Sequence, residues 1–504
     1  MIYSSPAAFL EENGSVFLIL TGPPQATVKE FVRPTFIRMS APIPSPTTPH
    51  TPPDAGASAP YGYVLLISLV AALGGFLFGY DTAVVSGAIG FLRARFELTA
   101  ELTGWAASSL LVGCMVGAAA GGPLGDRFGR KWALAVCAVV FMASAVASAL
   151  ANTLSVFAQA RFAGGLAIGA ASILSPLYIA EVAPRHGRGR LISLYQLAIV
   201  LGILAVFFVN LRIQRLGDEA WNVSTGWRWM FATLAAPSLL FALLLLFVPE
   251  SPRWLVKAGR PQAARHILER INGASAAARE LTEIRAGLQE EPGGWGELLA
   301  PGPRRALLVG GALAIFQQFS GINAIMYYAP EIFKAAGETT DAAFAQTVTV
   351  GAINLVFTLV AIACVDRFGR KPLLLIGSLA QMVTLALVAL VFHSGGHGVL
   401  LQLGIFGFVA SFAAAMGPVA WIVNAEIFSN RVRGRAMAIT IGLLWLSCYA
   451  VSQTFPILIE RFGPATTFAG YAVCSALCSA FVARWVPETK GRSLEEIGRS
   501  WEAR

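Results

Sequence analysis

Gly125-Asp-Arg-Phe-Gly-Arg-Lys131 returns later in the chain as Val365-Asp-Arg-Phe-Gly-Arg-Lys371, with the two aspartates 366 − 126 = 240 residues apart. Two further motifs recur in the same order. Glu181 and Arg188 have counterparts in Glu426 and Arg433 at an offset of 245, and Gly79-Tyr-Asp81 has one in Gly321-Ile-Asn323 at 242. Ordered self-similarity at a near-constant offset marks a duplicated structural unit. The hydropathy around these motifs says what the unit is.

Of the 504 residues, 56% are hydrophobic and 13% charged, whereas a soluble chain carries about 25% charged residues. That balance excludes a large soluble enzyme, a disordered protein and a nucleic-acid binder. A membrane-spanning helix needs about 20 mostly apolar residues. Twelve such runs occur, at 62–82, 104–124, 132–151, 156–179, 191–211, 229–248, 306–329, 347–365, 372–392, 399–424, 436–457 and 466–486. The repeat assigns six to each copy. The expected fold is an all-α membrane protein of twelve transmembrane helices in two six-helix pseudo-repeats, 61–250 and 306–487. A cytoplasmic helical linker, 251–305, joins them, with amphipathic helices over 261–272 and 274–289 divided at Gly273. A cytoplasmic tail occupies 488–504.

The net charge of +9 is explained by where the basic residues fall. Three follow each of spans 2, 4, 8 and 10: Arg127/Arg130/Lys131, Arg185/Arg188/Arg190, Arg367/Arg370/Lys371 and Arg431/Arg433/Arg435. The linker adds nine and the tail five, against seven on the opposite side. The positive-inside rule then puts both termini and the linker in the cytoplasm, in an inner (plasma) membrane. Arginine outnumbers lysine 31 to 6, which points to a GC-rich, bacterial genome. The Pro/Ser/Thr-rich stretch 40–59 reads as disordered, and 1–60 as a disordered tail. Met39 is the expected native start, with 1–38 untranslated; the apolar patch 16–20 is too short to span.

The repeated loops have a physical task. Their glycines permit a tight turn, and their charges can pair with neighbouring helix ends. Asp126, Arg127, Arg130, Glu181 and Arg188, with Asp366, Arg367, Arg370, Glu426 and Arg433, are therefore candidate gating groups, expected to latch the halves at the cytoplasmic face in one state and part in the other. Deeper in the spans stand Asp81, near the end of span 1, and Arg161, early in span 4. A charge at a helix centre costs roughly 2.5–3.5 kcal/mol on insertion scales, and pairing offsets it. An aspartate beside an arginine can change partner on protonation, so this pair is the candidate proton-coupling site.

Neutral polar groups form a second constellation. Gln196 lies in span 5, Gln317, Gln318 and Asn323 in span 7, and Asn354 in span 8; Trp421 and Trp445 lie in spans 10 and 11, and Phe78, Tyr327 and Tyr328 add aromatic faces. Carboxamides both donate and accept, as sugar hydroxyls do, and aromatic faces suit the C–H face of a sugar ring. A neutral polyhydroxy substrate follows. The six cysteines sit in apolar runs without metal-ligand spacing, and no cofactor or metal is called for. Between His393 and His397, Gly395 and Gly396 break the helix needed to aim both at a metal. There is no zincin, phosphate-loop or nucleophile-elbow motif, so no embedded enzyme is expected.

These residues carry a resemblance. The stretch 74–89 (GGFLFGYDTAVVSGAI), the two DRFGR motifs, Pro249-Glu-Ser-Pro-Arg-Trp-Leu255, Gln317-Gln-Phe-Ser-Gly-Ile-Asn323 and Pro487-Glu-Thr-Lys-Gly491 resemble the sugar porters of the major facilitator superfamily, from about residue 62 to 498. Within that family the likeness is greatest to bacterial D-xylose–proton symporters. The resemblance implies that Gln196, Gln317, Gln318, Asn323, Tyr327, Asn354, Gly417 and Trp421 bind sugar and that Asp81 and Arg161 couple the proton. The chain departs from the xylose porters in carrying Leu444 where they have a sugar-binding Gln, Ile203 for a span-5 Gln, and Leu234 for a span-6 Glu linked to coupling.

The function expected is proton-coupled import of a monosaccharide, D-xylose or D-glucose-like, by alternating access. The partners are the sugar, H+ and the lipid bilayer, with a monomer as the working unit. A passive sugar or inositol facilitator is the alternative, and Asp81–Arg161 speaks against it. A non-transporting sugar sensor would call for a long signalling tail, and 504 − 486 = 18 residues follow the last span.

Overall fold

A computed structural model describes residues 7–12, 15–20, 61–184, 187–289, 294–396, 398–429, 431–492, 496–497 and 501. Arg185 and His397, like Met39 and most of the expected tail, lie outside the described residues. Within that tail, Ala7–Glu12 and Ser15–Leu20 pair as antiparallel strands, a departure from the disorder expected for 1–60. The second strand is Ser-Val-Phe-Leu-Ile-Leu, whose β-branched and aromatic residues favour extended pairing.

The spans are Tyr61–Phe96, Ala100–Phe128, Arg130–Leu150, Leu154–Val182, Arg188–Gln214, Glu219–Phe247, Pro301–Ala335, Thr340–Phe368, Arg370–His393 and Val399–Glu426. Helix Arg433–Trp485 then supplies two more, bent apart at Gly463 (φ 75°, ψ 165°), and completes the twelve. Most helices outrun the apolar windows because polar residues cap them beyond the hydrocarbon. Thr99, Thr153 and Thr339 each accept a backbone N–H in the first turn of spans 2, 4 and 8, satisfying donors a helix start leaves open. Span 1 departs most from the sequence reading. It runs on through 82–96, so Asp81 lies mid-helix rather than near its end.

Spans 2 and 4 touch backbone to backbone. A Cβ on Gly113 or Gly117 would fall about 2 Å from a span-4 carbonyl, and one on Gly165 or Gly169 equally close to a span-2 carbonyl. Small residues at four-residue spacing permit this approach in lipid. Across the two halves, span 1 packs on span 7, span 2 on span 11 and span 5 on span 8. The linker helices Pro261–Asn272 and Ala274–Gln289 keep the bounds read from the sequence, divided at Gly273 (φ 81°). Arg270 of the first lies over the ring of Tyr63 in span 1, and Glu297 near the linker's end pairs with Arg431 at 2.8 Å. The linker thus contacts both halves.

Candidate substrate and proton-coupling site

Asp81 and Arg161 form an ion pair that is 0% and 1% exposed. Besides the carboxylate, Arg161 donates to the Asp81 backbone carbonyl at 2.7 Å, and its guanidinium lies 5.1 Å from the centroid of the Phe231 ring. One carboxylate oxygen, Oδ2, has no hydrogen-bond partner, and neither has Arg161 Nε. A buried, half-satisfied carboxylate is a group on which a proton can land without first displacing a bond. Leu234 is fully buried nearby in sequence, against the same apolar cluster as Phe231, and contributes no second carboxylate.

Span 7 builds the neutral constellation because it is broken. Gly321 takes the left-handed conformation (φ 86°, ψ 13°), open to glycine at little cost, and its missing Cβ leaves room for the Tyr471 ring, which would otherwise stand 2.7 Å away. The break brings Gln317 and Gln318 into one chain with Asn323. Gln317 Nε2 donates to the carbonyls of Met416 (2.7 Å) and Gly417 (3.0 Å) in span 10. Gln318 Nε2 donates to Gln317 Oε1 at 3.5 Å, and Asn323 Nδ2 donates to Gln318 Oε1 and to Cys448 Sγ, the latter at 3.1 Å. Span 10 presents its carbonyls where a π-helical turn, Phe412–Met416, meets Gly417 and Pro418; each carbonyl can accept twice.

Around this chain, Phe78 and Trp445 meet across the halves with ring centroids 5.7 Å apart. Trp445 is 3% exposed, and its indole N–H has no partner. Tyr327 is buried, and Tyr328 donates to the Ser452 carbonyl at 3.0 Å. Gln196 and Trp421 are half-buried, and Asn354 is buried. Gln317 thus serves the fold with its amide nitrogen while its neighbours retain free valences.

At the face carrying the DRFGR loops, the charges assemble differently from the expectation. Arg130 binds Glu181 with two nitrogens (2.9 and 3.0 Å) and Asp126 with a third (3.0 Å), while Glu250 accepts the backbone N–H of Arg130, Lys131 and Ser251. In the second half Arg370 binds Glu426 (3.2 and 2.9 Å) and Asp366 (3.2 Å), and Glu488 accepts the backbone N–H of Arg370, Lys371 and Lys490. Among the described residues each of these two networks closes within its own half in this state. The partner of Glu181 is Arg130, and Arg188 reaches the Ala183 carbonyl instead; Arg433 likewise turns to the Phe428 carbonyl. Arg127 and Arg367 lie over the adjacent Phe128 and Phe368 rings. The reason is reach: the second arginine of DRFGR points back under its own bundle from a turn at Gly129 (φ 94°) or Gly369 (φ 89°).

The pattern matches a known family over most of its length. The family described as sugar (and other) transporter matches residues 67–501. The chain belongs to the sugar transporter family. It is 46% identical over 442 residues to the arabinose-proton symporter of Bacillus subtilis, covering 87% of this chain and 95% of that one. It is 43% identical over 472 residues to the D-xylose-proton symporter of Escherichia coli, covering 87% and 96%. Among solved structures it resembles a partially occluded inward open conformation of the E. coli xylose transporter XylE, with TM-score 0.78 and 40% identity over 86% of this chain and all of that one. It is a multi-pass membrane transporter of the major facilitator fold.

The contacts that join the halves of this sugar transporter lie toward the face opposite the DRFGR loops. Arg215 pairs with Asp341 at 2.6 and 2.9 Å. Gln453 of span 11 accepts from Ser108 Oγ (2.7 Å) and donates to the Glu101 carbonyl (2.9 Å) of span 2. Sequence reasoning missed these residues, which no repeat or charge pattern singles out. It also missed the roles of Glu250 and Glu488, although a signal was present. Pro-Glu-Ser and Pro-Glu-Thr follow the last span of each half at an offset of 488 − 250 = 238, a fourth member of the repeat. Their hydroxyls act alike: Ser251 donates to Glu181 and Thr489 to Glu426.

Proposed function

We propose that this protein imports a monosaccharide with a proton by alternating access, Asp81 carrying the proton and the span-7 amides receiving the sugar. The observation that carries the reading is the fully buried Asp81–Arg161 pair in a fold that also buries the amides Gln317 and Gln318 beside Asn323. Relatives named as arabinose- and D-xylose-proton symporters support it, and they favour a pentose among the monosaccharides. The DRFGR face is cytoplasmic, as the basic residues there require, and so are both termini; the monomer in its bilayer is the working unit.

In this state the outer contacts are made, and the chain resembles inward open structures of the E. coli xylose transporter. The Arg130 and Arg370 networks make each six-helix bundle a rigid body, and the bundles rock about the central site. With the outer side open, a proton on Asp81 weakens its hold on Arg161, sugar binds Gln196, Gln317, Gln318, Asn323, Tyr327, Asn354 and the Phe78, Trp421 and Trp445 faces, and the halves close. Once sugar and proton leave inward, the ion pair re-forms and favours return. A membrane potential of about 100 mV contributes about 2.3 kcal/mol per proton, enough for concentrative uptake.

The test is uptake of radiolabelled L-arabinose, D-xylose and D-glucose into liposomes holding the purified protein, with and without an inward proton gradient. Accumulation above the external concentration only with the gradient is expected. Equilibration indifferent to the gradient would make the protein a facilitator and leave Asp81–Arg161 a structural pair.

A further inference from the structure

Backbone carbonyl oxygens only accept hydrogen bonds, and this gives the span-7 amide chain a direction. Gln317 must turn its NH2 group to the Met416 and Gly417 carbonyls, both of whose bonds it makes. Its oxygen then faces Gln318, which must offer nitrogen; the oxygen of Gln318 then faces Asn323, which must offer nitrogen in turn. Flipping any one amide would set oxygen against oxygen on one side, and flipping Gln317 or Gln318 would also set nitrogen against nitrogen on the other. The second amide hydrogen of Asn323 goes to Cys448 Sγ at 3.1 Å. Both Asn323 hydrogens are therefore committed, and Oδ1 is the atom left for a ligand.

We infer that Cys448 is a positioning residue for sugar recognition: its sulfur terminates a one-way amide chain anchored on the span-10 carbonyls, so that Asn323 meets the sugar as an acceptor only and requires a hydroxyl that donates. The inference rests on the sugar-transport reading above. It assigns the span-11 thiol a task that Leu444, which carries no polar atom, and Trp445, which only donates, cannot perform. It also makes the polarity of the site a property of the π-helical turn at Phe412–Met416, which presents the two anchoring carbonyls.

Competition by monodeoxy and monodeoxyfluoro analogues of the transported sugar tests the polarity, because a C–F group cannot donate. At the hydroxyl facing Asn323, deoxy and fluoro analogues should weaken competition alike, by about five- to tenfold for one lost hydrogen bond. Cys448→Ala frees an Asn323 hydrogen and should restore the fluoro but not the deoxy analogue at that position, whereas Cys448→Ser, which keeps an acceptor, should retain the native profile. Fluoro analogues that compete as well as the parent at every position, or a Cys448→Ala profile identical to the native one, would overturn the inference. A second measurement is independent of which sugar is carried. The infrared S–H band assigned to Cys448 by its loss in Cys448→Ser should shift in Asn323→Ala, and an unmoved band would likewise overturn it. A shifted band in a protein that transports no sugar would leave the amide chain standing and bring down the transport reading instead.

Discussion

The two halves share a plan and bury different things at its centre. The first half buries a full ion pair, Asp81 with Arg161, and the second a chain of neutral amides from Gln317 to Asn323. Breaking a buried ion pair by removing one partner costs about 3–5 kcal/mol. Neutral amide bonds are worth about 1 kcal/mol each and can be exchanged for sugar hydroxyls one at a time. In the function proposed above, the half with charge is the one a proton switches and the half with amides the one that reads a sugar. At the face carrying the DRFGR loops the halves differ in degree only. The same clasp holds Glu181 at 5% exposure in the first half and Glu426 at 27% in the second.

The largest expected break in this comparison is Asp81→Asn, which cannot be switched. Gradient-driven accumulation should vanish while sugar exchange between preloaded and external pools persists; retained accumulation would move coupling out of the first half. Gln317→Ala strikes the other half. It strands two carbonyls and unanchors the chain, so KM should rise by about tenfold or more with the proton dependence of transport unchanged. A lost proton dependence would show that the division between the halves is not clean.

The clasps sharpen the comparison at smaller amplitude. Glu250 is pushed up by burial, which its backbone donors offset only in part, whereas at Glu488 the backbone N–H groups of Lys490, Arg370 and Lys371 outweigh burial and hold the carboxyl below its usual value. Glu488 therefore contributes stability that is present above the ordinary carboxylate range and lost as pH falls through its lowered pKa. Glu250 is the reverse: its folded form takes a proton before the unfolded one does, so its contribution falls as pH rises from the ordinary value through the raised one. Both oxygens of Glu488 accept backbone N–H groups, whereas Oε2 of Glu250 has no partner. Glu488→Gln should accordingly lower the melting temperature by the equivalent of about 1–2 kcal/mol, and Glu250→Gln by less, in thermal melts followed from neutral pH downwards. Smallest of all, Arg215→Ala removes a pair that is about half exposed on both sides. It should change stability by at most about 1 kcal/mol and tilt the population slightly toward the outward-open state, read as a longer distance between spin labels at positions 216 and 462.

Much of the molecule was legible in the chain. The repeat and the hydropathy gave twelve spans in two sixes, and the linker helices came out with their bounds because Gly273 and Pro261 punctuate them. Asp81 and Arg161 were paired on cost alone, and the structure brings them together. The clasp of Arg130 on Glu181 and Asp126 was not legible, because the DRFGR charges recur as a pattern and a pattern does not say which bundle an arginine turns under. Span 1 was ended too soon at Asp81, since a window on hydropathy stops at a charge that tertiary packing has already matched.

What the sequence by itself determined is what local chemistry sets: where apolar runs cross a membrane, where threonines and glycines cap them, and which rare polar groups need a partner. Tertiary structure alone decided which partner each group has. The π-turn of span 10 begins 412 − 321 = 91 residues after the break at Gly321, and the thiol of span 11 follows that turn by 448 − 416 = 32. Only their meeting gives the amides a direction, because a hydrogen bond's polarity belongs to both of its ends.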